Sequence, residues 1–327
     1  MGGGVRKFVK RLPCEPFAPI RMNPMLLRTK TFMGVLLMLA GGLGWAVLSL
    51  MTAAAVHASH APSSATVVPT VSPSGEFKSF AFFRRHQTQA QSILLKDLST
   101  GRTLYEVRAN RRVAPASLTK IMSALVILEY GQLRDTVTVS RKAAAARKIH
   151  LRLHAGHVFR LEDLLKAMLI TSANDACLAA VEHVGGSEEM FVAMMNNKAR
   201  RMGLLDTHFS NACGFDSPTH YTTAADLATL SEAAMEDRTF RALVRKEVDM
   251  IFPLNANRSY WLRNTNRLLG RIPGIEGIKT GFTSQAGRCL VIKASQDGKE
   301  VLLVLLHANR RWDTASTLLR QGMQSLQ

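Results

Sequence analysis

Three short polar motifs run in order along this chain: Ser117-Leu118-Thr119-Lys120, Ser172-Ala173-Asn174 and Lys279-Thr280-Gly281. They supply hydroxyls, amines and an amide, and no histidine. A serine becomes a nucleophile only when a neighbouring group takes its proton. Lys120 lies three residues beyond Ser117, which on a helix puts amine and hydroxyl on one face. A lysine acts as a base only if its pKa is depressed, by desolvation or by a second cation. Lys279 is the candidate second cation. At the opening of a helix, unpaired N–H groups and the helix dipole favour a developing anion, so the Pro115-Ala116-Ser117 entry suits an acyl-transfer centre.

Each motif differs in weight. By composition, S-x-x-K and S-x-N each arise roughly once in a chain of this length, whereas K-T-G arises in fewer than about one such chain in ten. Alone, Ser117 reads as a plain helix cap, and Asn174 or Asp175 as the cap of a following helix. Order and spacing of all three together carry the reading. Gly281 permits close backbone approach. Lys279 and Thr280 offer a cation and a hydroxyl to a carboxylate.

The elements that must hold these groups are legible as patterns. Ser92–Leu98 and Thr103–Val107 alternate around Ser99-Thr100-Gly101-Arg102, which predicts a hairpin. Ile121, Leu125 and Leu128 recur at helical spacing after Ser117 and end at Gly131. Further helices are predicted over Leu161–Ile170, Asp175–Val184, Ser187–Met202 and Trp312–Met323. Strands are predicted over Lys279–Thr283, Arg288–Ser295 and Glu300–His307. Strands at both ends with helices between them predict one domain, residues 89–327, closed terminus to terminus.

The chain has 327 residues, 47% of them apolar, and a formal charge of +18. That is enough apolar surface for a sizeable core. Residues 1–58 hold seven of the 42 Lys/Arg and one of the 24 acids, leaving +12 on the remainder. A basic domain attracts polyanions, either nucleic acid or the anionic surface of a bacterial envelope. The N-terminus decides for the envelope. A basic region, residues 1–30, precedes an uncharged apolar run over residues 31–56, long enough to span a bilayer. Arg21, Arg28 and Lys30 lie before that run, so the positive-inside rule directs the following chain outward. Val56-His57-Ala58 is a small-residue cleavage site. Residues 31–58 therefore read as a signal peptide or a membrane anchor, and 59–88 as a linker rich in small residues and proline. No basic–aromatic motif supports nucleic-acid binding. Cys14, Cys177, Cys213 and Cys289 lack metal-ligand spacing, and buried free thiols are the expectation for Cys177 and Cys213.

With those residues in view, the chain resembles the low-molecular-mass penicillin-binding proteins, the serine-type D-alanyl-D-alanine carboxypeptidases. The matching text is Pro115 to Leu125, Ser172-Ala173-Asn174-Asp175-Ala176, Thr207 to Asn211, His220 to Ala228, Asn264-Thr265-Asn266 and Gly277 to Thr283. It covers about residues 89–325. The resemblance implies an α/β (α+β) fold of the penicillin-binding-protein and β-lactamase kind, an antiparallel sheet flanked by helices. Many members carry a further C-terminal β domain, which is not expected here.

The resemblance also implies roles. Ser117 would attack the carbonyl between two terminal D-alanines of a peptidoglycan stem peptide, with Lys120 as base. Ser172 and Asn174 would relay protons and position substrate. Lys279 and Thr280 would hold the terminal carboxylate beside Gly281. The N–H groups of Ser117 and Phe282 would form the oxyanion hole. β-Lactams would acylate Ser117, and no metal or organic cofactor is implied. A D-alanyl endopeptidase uses the same groups with a cross-linked amine as leaving group, and a binding module would leave them silent. No Glu-x-x-Leu-Asn stretch of the class A β-lactamase kind is present. His150, His154 and His157 resemble a metal triad in spacing only, and exposed hairpin residues are the expectation. Arg288 is a further candidate for a carboxylate contact.

Overall fold

The computed structural model describes residues 90–147 and 149–326. The basic region, the apolar run and the linker lie outside them. In chain order come β1 (Ala90–Asp97), β2 (Thr103–Val107), a 3-10 turn (Ala116–Thr119) and α1 (Lys120–Tyr130). Next are β3 (Thr136–Thr138), α2 (Arg141–Ala144), β4 (Val158–Arg160), α3 (Leu161–Ile170) and α4 (Asn174–Gly185). They are followed by α5 (Glu188–Arg201), α6 (Ala224–Glu236), α7 (Arg238–Val244), β5 (Val248–Ile251) and β6 (Tyr260–Arg263). The chain closes with β7 (Ile275–Thr283), β8 (Gly287–Gln296), β9 (Lys299–Ala308) and α8 (Arg311–Ser325).

Five strands form one antiparallel sheet in the order β2-β1-β9-β8-β7. β1 at the start pairs with β9 near the end, in register from Ala90↔Ala308 to Asp97↔Val301. The predicted closure of one chain end on the other is therefore present. β9 explains why this sheet is buried on both faces. Its run Val301 to Leu306 is wholly apolar and buried. Successive side chains of a strand point to opposite faces. Leu302, Val304 and Leu306 join the large core under the helices. Val301, Leu303 and Leu305 join a second core with Leu318 and Leu319 of α8.

The helical layer hides α1 completely on one side: Ile121, Met122, Val126 and Ile127 have no exposure. Helix α1 therefore serves as a central post, with its N-terminal turn reaching the sheet at β7. Two two-stranded ladders, β3–β4 and β5–β6, flank this layer. These ladders and the helices α6 and α7 are not evident in the hydrophobic pattern.

Two local expectations are corrected. Cys177 of α4 and Cys213 are joined in a disulfide, with Cα atoms 6.2 Å apart, and are not free thiols. Cys289 is a free, buried cysteine. Residues 150–157 form an irregular loop and not a hairpin strand. The cause is Asp175, whose carboxylate accepts the backbone N–H groups of Leu151 and Leu153, which a strand would give to a neighbour.

The disulfide closes a loop across 36 residues. Chain-entropy arguments give such a cross-link about 2–4 kcal/mol. Urea denaturation of the Cys177→Ala/Cys213→Ala protein should show a loss in that range. An unchanged midpoint would mean that the bond is energetically idle.

Candidate active site

The first motif straddles two helical geometries. Ser117 sits in the 3-10 turn and Lys120 is the first residue of α1. The turn is entered through Ala116 at φ 50°, a left-handed conformation that alanine rarely adopts. Two glycines make room for it. A Cβ on Gly281 of β7 would lie 3.0 Å from Pro115 O and 3.2 Å from Ser117 N. A Cβ on Gly214 would lie 2.0 Å from Ala116 O. The absent side chain of Gly281 thus admits the Ala116–Ser117 turn itself, so that the K-T-G strand and the S-x-x-K turn touch through bare backbone.

Lys120 is fully buried, yet no carboxylate reaches its amine. Its Nζ lies 2.6 Å from Cys213 O, 2.7 Å from Asn174 Oδ1 and 3.1 Å from Ser117 Oγ. Asn174 Nδ2 donates to Arg147 O, which fixes the amide so that Oδ1 faces the lysine. The two short contacts go to oxygens that only accept, so the amine donates both of its first two protons there. The third direction, toward Ser117 Oγ, is left to the lone pair when the amine is neutral.

Burial pushes the Lys120 pKa well below the ordinary lysine value; the Lys279 charge pushes the same way, and Asp175 opposes. Burying an unpaired ammonium costs several kcal/mol, which favours loss of the proton. Lys279 is buried too, and its pKa falls to about 7 through burial and then through the Arg311 charge. Its Nζ donates to Thr280 O at 3.2 Å. Thr280 Oγ1 and Thr265 Oγ1 lie 2.6 Å apart, which links Asn264-Thr265-Asn266 to the third motif.

Ser172 stands between α3 and α4 at φ 66°. Its hydroxyl is buried and makes no hydrogen bond within the protein. Phe282 is 60% exposed, and the Arg288 guanidinium lies 5.8 Å from its ring centre. The structure therefore gathers Ser117, Lys120 and Asn174 by direct contact and sets Gly281 against the same turn. Lys279 joins them through its field on Lys120.

Three further contributors carry little signal in sequence. The Cys213 carbonyl is aimed by a turn in which Asn211 Oδ1 accepts the N–H groups of Gly214 and Phe215. The Cys177–Cys213 bond ties that turn to α4, which carries Asn174. Arg311, at the start of α8, donates through Nη1 to Gly281 O and Cys289 O and braces the end of β7. The histidines lie apart from this site. Arg258 donates to His154 Nε2, and the His154 and His157 rings stack 5.0 Å apart. Among the described residues no group of three His, Cys, Asp or Glu side chains is placed to hold a metal.

Comparisons with known proteins show what the chain is similar to in sequence and in fold. The family profile described as D-alanyl-D-alanine carboxypeptidase matches residues 80–310. The chain is 35% identical over 226 residues to the D-alanyl-D-alanine carboxypeptidase DacF of Bacillus subtilis, covering 68% of this chain and 58% of the relative. It is 33% identical over 271 residues to DacC of Escherichia coli, covering 76% and 66%. It thus spans about three fifths of the length of these curated relatives. A Streptomyces DD-transpeptidase structure superposes with a TM-score of 0.68 at 28% identity, covering 72% of this chain and 97% of the other. A D-alanyl-D-alanine carboxypeptidase from Mycobacterium tuberculosis superposes with a TM-score of 0.68 at 30% identity, covering 72% and 91%.

The depressed pKa of Lys279 fixes the sign of a stability effect. Between about 7 and the unfolded value of 10.5 the unfolded chain binds more protons, so stability rises with pH across that window. Below about 7 the penalty for burying Lys279 is present in full. Lys279→Met removes it. The variant should melt a few degrees above the parent at pH 7, roughly the effect of 1 kcal/mol or more in a domain of this size. Its advantage should vanish toward pH 10.5. A variant no more stable than the parent at pH 7 would contradict the assigned burial cost.

Proposed function

Because the chain belongs to the D-alanyl-D-alanine carboxypeptidase family, we propose that it is a serine carboxypeptidase that removes the terminal D-alanine from peptidoglycan stem peptides. One observation carries this reading. A fully buried lysine amine, without a carboxylate partner, lies 3.1 Å from the Ser117 hydroxyl.

The chemistry follows from that contact. Neutral Lys120 takes the Ser117 proton as Oγ attacks the carbonyl carbon between the two D-alanines. The oxyanion is received by the N–H groups of Ser117 and Phe282. The C–N bond then breaks, and the departing D-alanine amine takes up a proton relayed through Lys120 and Ser172. Asn174 holds Lys120 by its Oδ1 and supports the substrate amide. Lys279 and Thr280 receive the terminal carboxylate, whose charge also favours the protonated form of Lys279. Water hydrolyses the resulting ester and restores Ser117. Protein groups supply each step, and the reading calls for no cofactor. A β-lactam presents the same carbonyl and carboxylate, and it stalls at the ester.

The apolar run at 31–56 and its basic lead support export across the cytoplasmic membrane, with wall peptidoglycan as partner and the run as a removable signal or a retained anchor. Among the described residues no helix is long and apolar enough to cross a membrane. The folded catalytic region is assigned to residues 89–327, following the linker at 59–88.

Incubation with a pentapeptide stem fragment and with a cross-linked muropeptide dimer, followed by mass spectrometry, tests the substrate. Loss of one alanine from the pentapeptide, abolished by Ser117→Ala, is the expected result. Splitting of the dimer with little alanine release would transfer the assignment to a D-alanyl endopeptidase. If neither product depends on Ser117, a non-catalytic binding role replaces both. Lys120→Arg should lower the penicillin acylation rate at least about 10³-fold, because a guanidinium stays protonated and supplies no base.

A further inference from the structure

Buried groups outside the reacting set converge on one peptide bond of the nucleophile turn. Ser210 N–H donates to His220 Nδ1 at 2.9 Å. That nitrogen therefore carries no proton, and the ring proton sits on Nε2. Nε2 lies 2.7 Å from Thr119 Oγ1 and donates to it. The Thr119 hydroxyl proton is thereby directed to Ala116 O, 2.8 Å away. The chain of donors runs one way, from His220 through Thr119 to the Ala116 carbonyl. Thr119 is fully buried and His220 is 3% exposed. Phe209 packs edge-on against the imidazole, with ring centres 5.8 Å apart.

The Ala116 carbonyl belongs to the same planar unit as the Ser117 N–H, and in a trans peptide the two point in opposite directions. Holding the oxygen therefore aims the N–H. Gly214 closes the other side, since its Cα faces Ala116 O with no room for a side chain. The unit needs such support because Ala116 is held at φ 50°. A hydrogen bond accepted at the oxygen also polarises the peptide and strengthens its N–H as a donor.

Resting on the reaction assigned above, we propose that His220 and Thr119 are positioning residues that hold the Ala116–Ser117 peptide so that the Ser117 N–H points at the oxyanion. Neither touches the substrate; both act through Ala116 O. Burial, and secondarily the neighbouring His208, lower the His220 pKa to about 4, opposed by Asp216, so the ring stays neutral near pH 7 and the donor direction persists.

The test uses the full chain with two probes. One is the acylation rate by a fluorescent penicillin. The other is the affinity of a peptidyl boronic acid, whose tetrahedral adduct with Ser117 places an oxygen in the oxyanion position. Thr119→Val keeps the shape and removes the hydroxyl. It should slow acylation and weaken the boronate by roughly 10–100-fold each, below the loss on deleting a donor outright. Thr119→Ser should restore both to within about threefold, by keeping the hydroxyl. His220→Leu should match Thr119→Val, and the double variant should be no worse than either single, because the two act as a unit. Thr119→Val with parental acylation and boronate affinity would overturn the proposal, as would losses that multiply in the double variant. If His220→Leu does not fold, the valine and serine variants decide alone. The outcomes also separate the two readings. A parent protein that is not labelled at Ser117 removes the reaction and the positioning role together. A labelled parent with an unaffected Thr119→Val removes the positioning role only.

Discussion

A lysine amine sealed away from water with no anion to hold its charge is the constraint around which the site is arranged. Hydroxyl, amide and carbonyl oxygens surround the Lys120 nitrogen, and none is ionised. Two of them only accept hydrogen bonds. In a low-dielectric setting such a group settles its cost by losing a proton. What would be a structural fault elsewhere is, in the proposed reaction, the source of a base next to Ser117. The second buried lysine, Lys279, adds to the effect from the neighbouring strand. The pKa of Lys279 is itself lowered by burial and by the Arg311 charge.

The rest of the fold keeps this cost in place. α1 is buried deeply enough that Lys120 cannot turn its side chain to solvent. The disulfide joins α4, which brings Asn174, to the turn that brings the Cys213 carbonyl. Gly281 and Gly214 let β7 and that turn press against the strained Ala116–Ser117 peptide from two sides. Arg311 ties the end of β7 to β8 through the carbonyls of Gly281 and Cys289. The doubly covered sheet, with β9 apolar on both faces, gives these pieces a rigid base.

Much of this was legible from residue order. The strongly periodic helices α3, α4 and α5 and the strands β8 and β9 lie within a residue or two of their patterns, because each has one period and a clear stop; α1 ends at Tyr130 as its pattern does but begins at Lys120, after a 3-10 turn that holds Ser117. The antiparallel closure of β1 on β9 followed from strands at both ends. α6 was readable in principle: Thr223-Ala224-Ala225-Asp226 carries an N-cap signal, and Thr223 Oγ1 does accept the Asp226 N–H. Residues 150–157 misled, because Leu151 and Leu153 alternate like a strand while their N–H groups go to the Asp175 carboxylate. The Cys177–Cys213 bond was hidden, since 36 residues separate the partners and spacing alone does not pair them. The three motifs announced side chains. The Cys213 carbonyl, the bare glycine faces and the Ala116 conformation are backbone features, and residue types do not spell backbone positions in a folded turn.

The protonation state of Lys120 is the central quantity, and it can be read directly. Protein carrying lysine labelled with carbon-13 at Cε, with the Lys120 signal assigned by its loss in Lys120→Arg, gives a titration curve for that side chain by NMR. The account predicts a midpoint well below the ordinary lysine value of about 10.4, and a shift upward when Lys279 is replaced by methionine. A Lys120 signal that stays charged until pH 10 or above, and ignores the loss of Lys279, would contradict it.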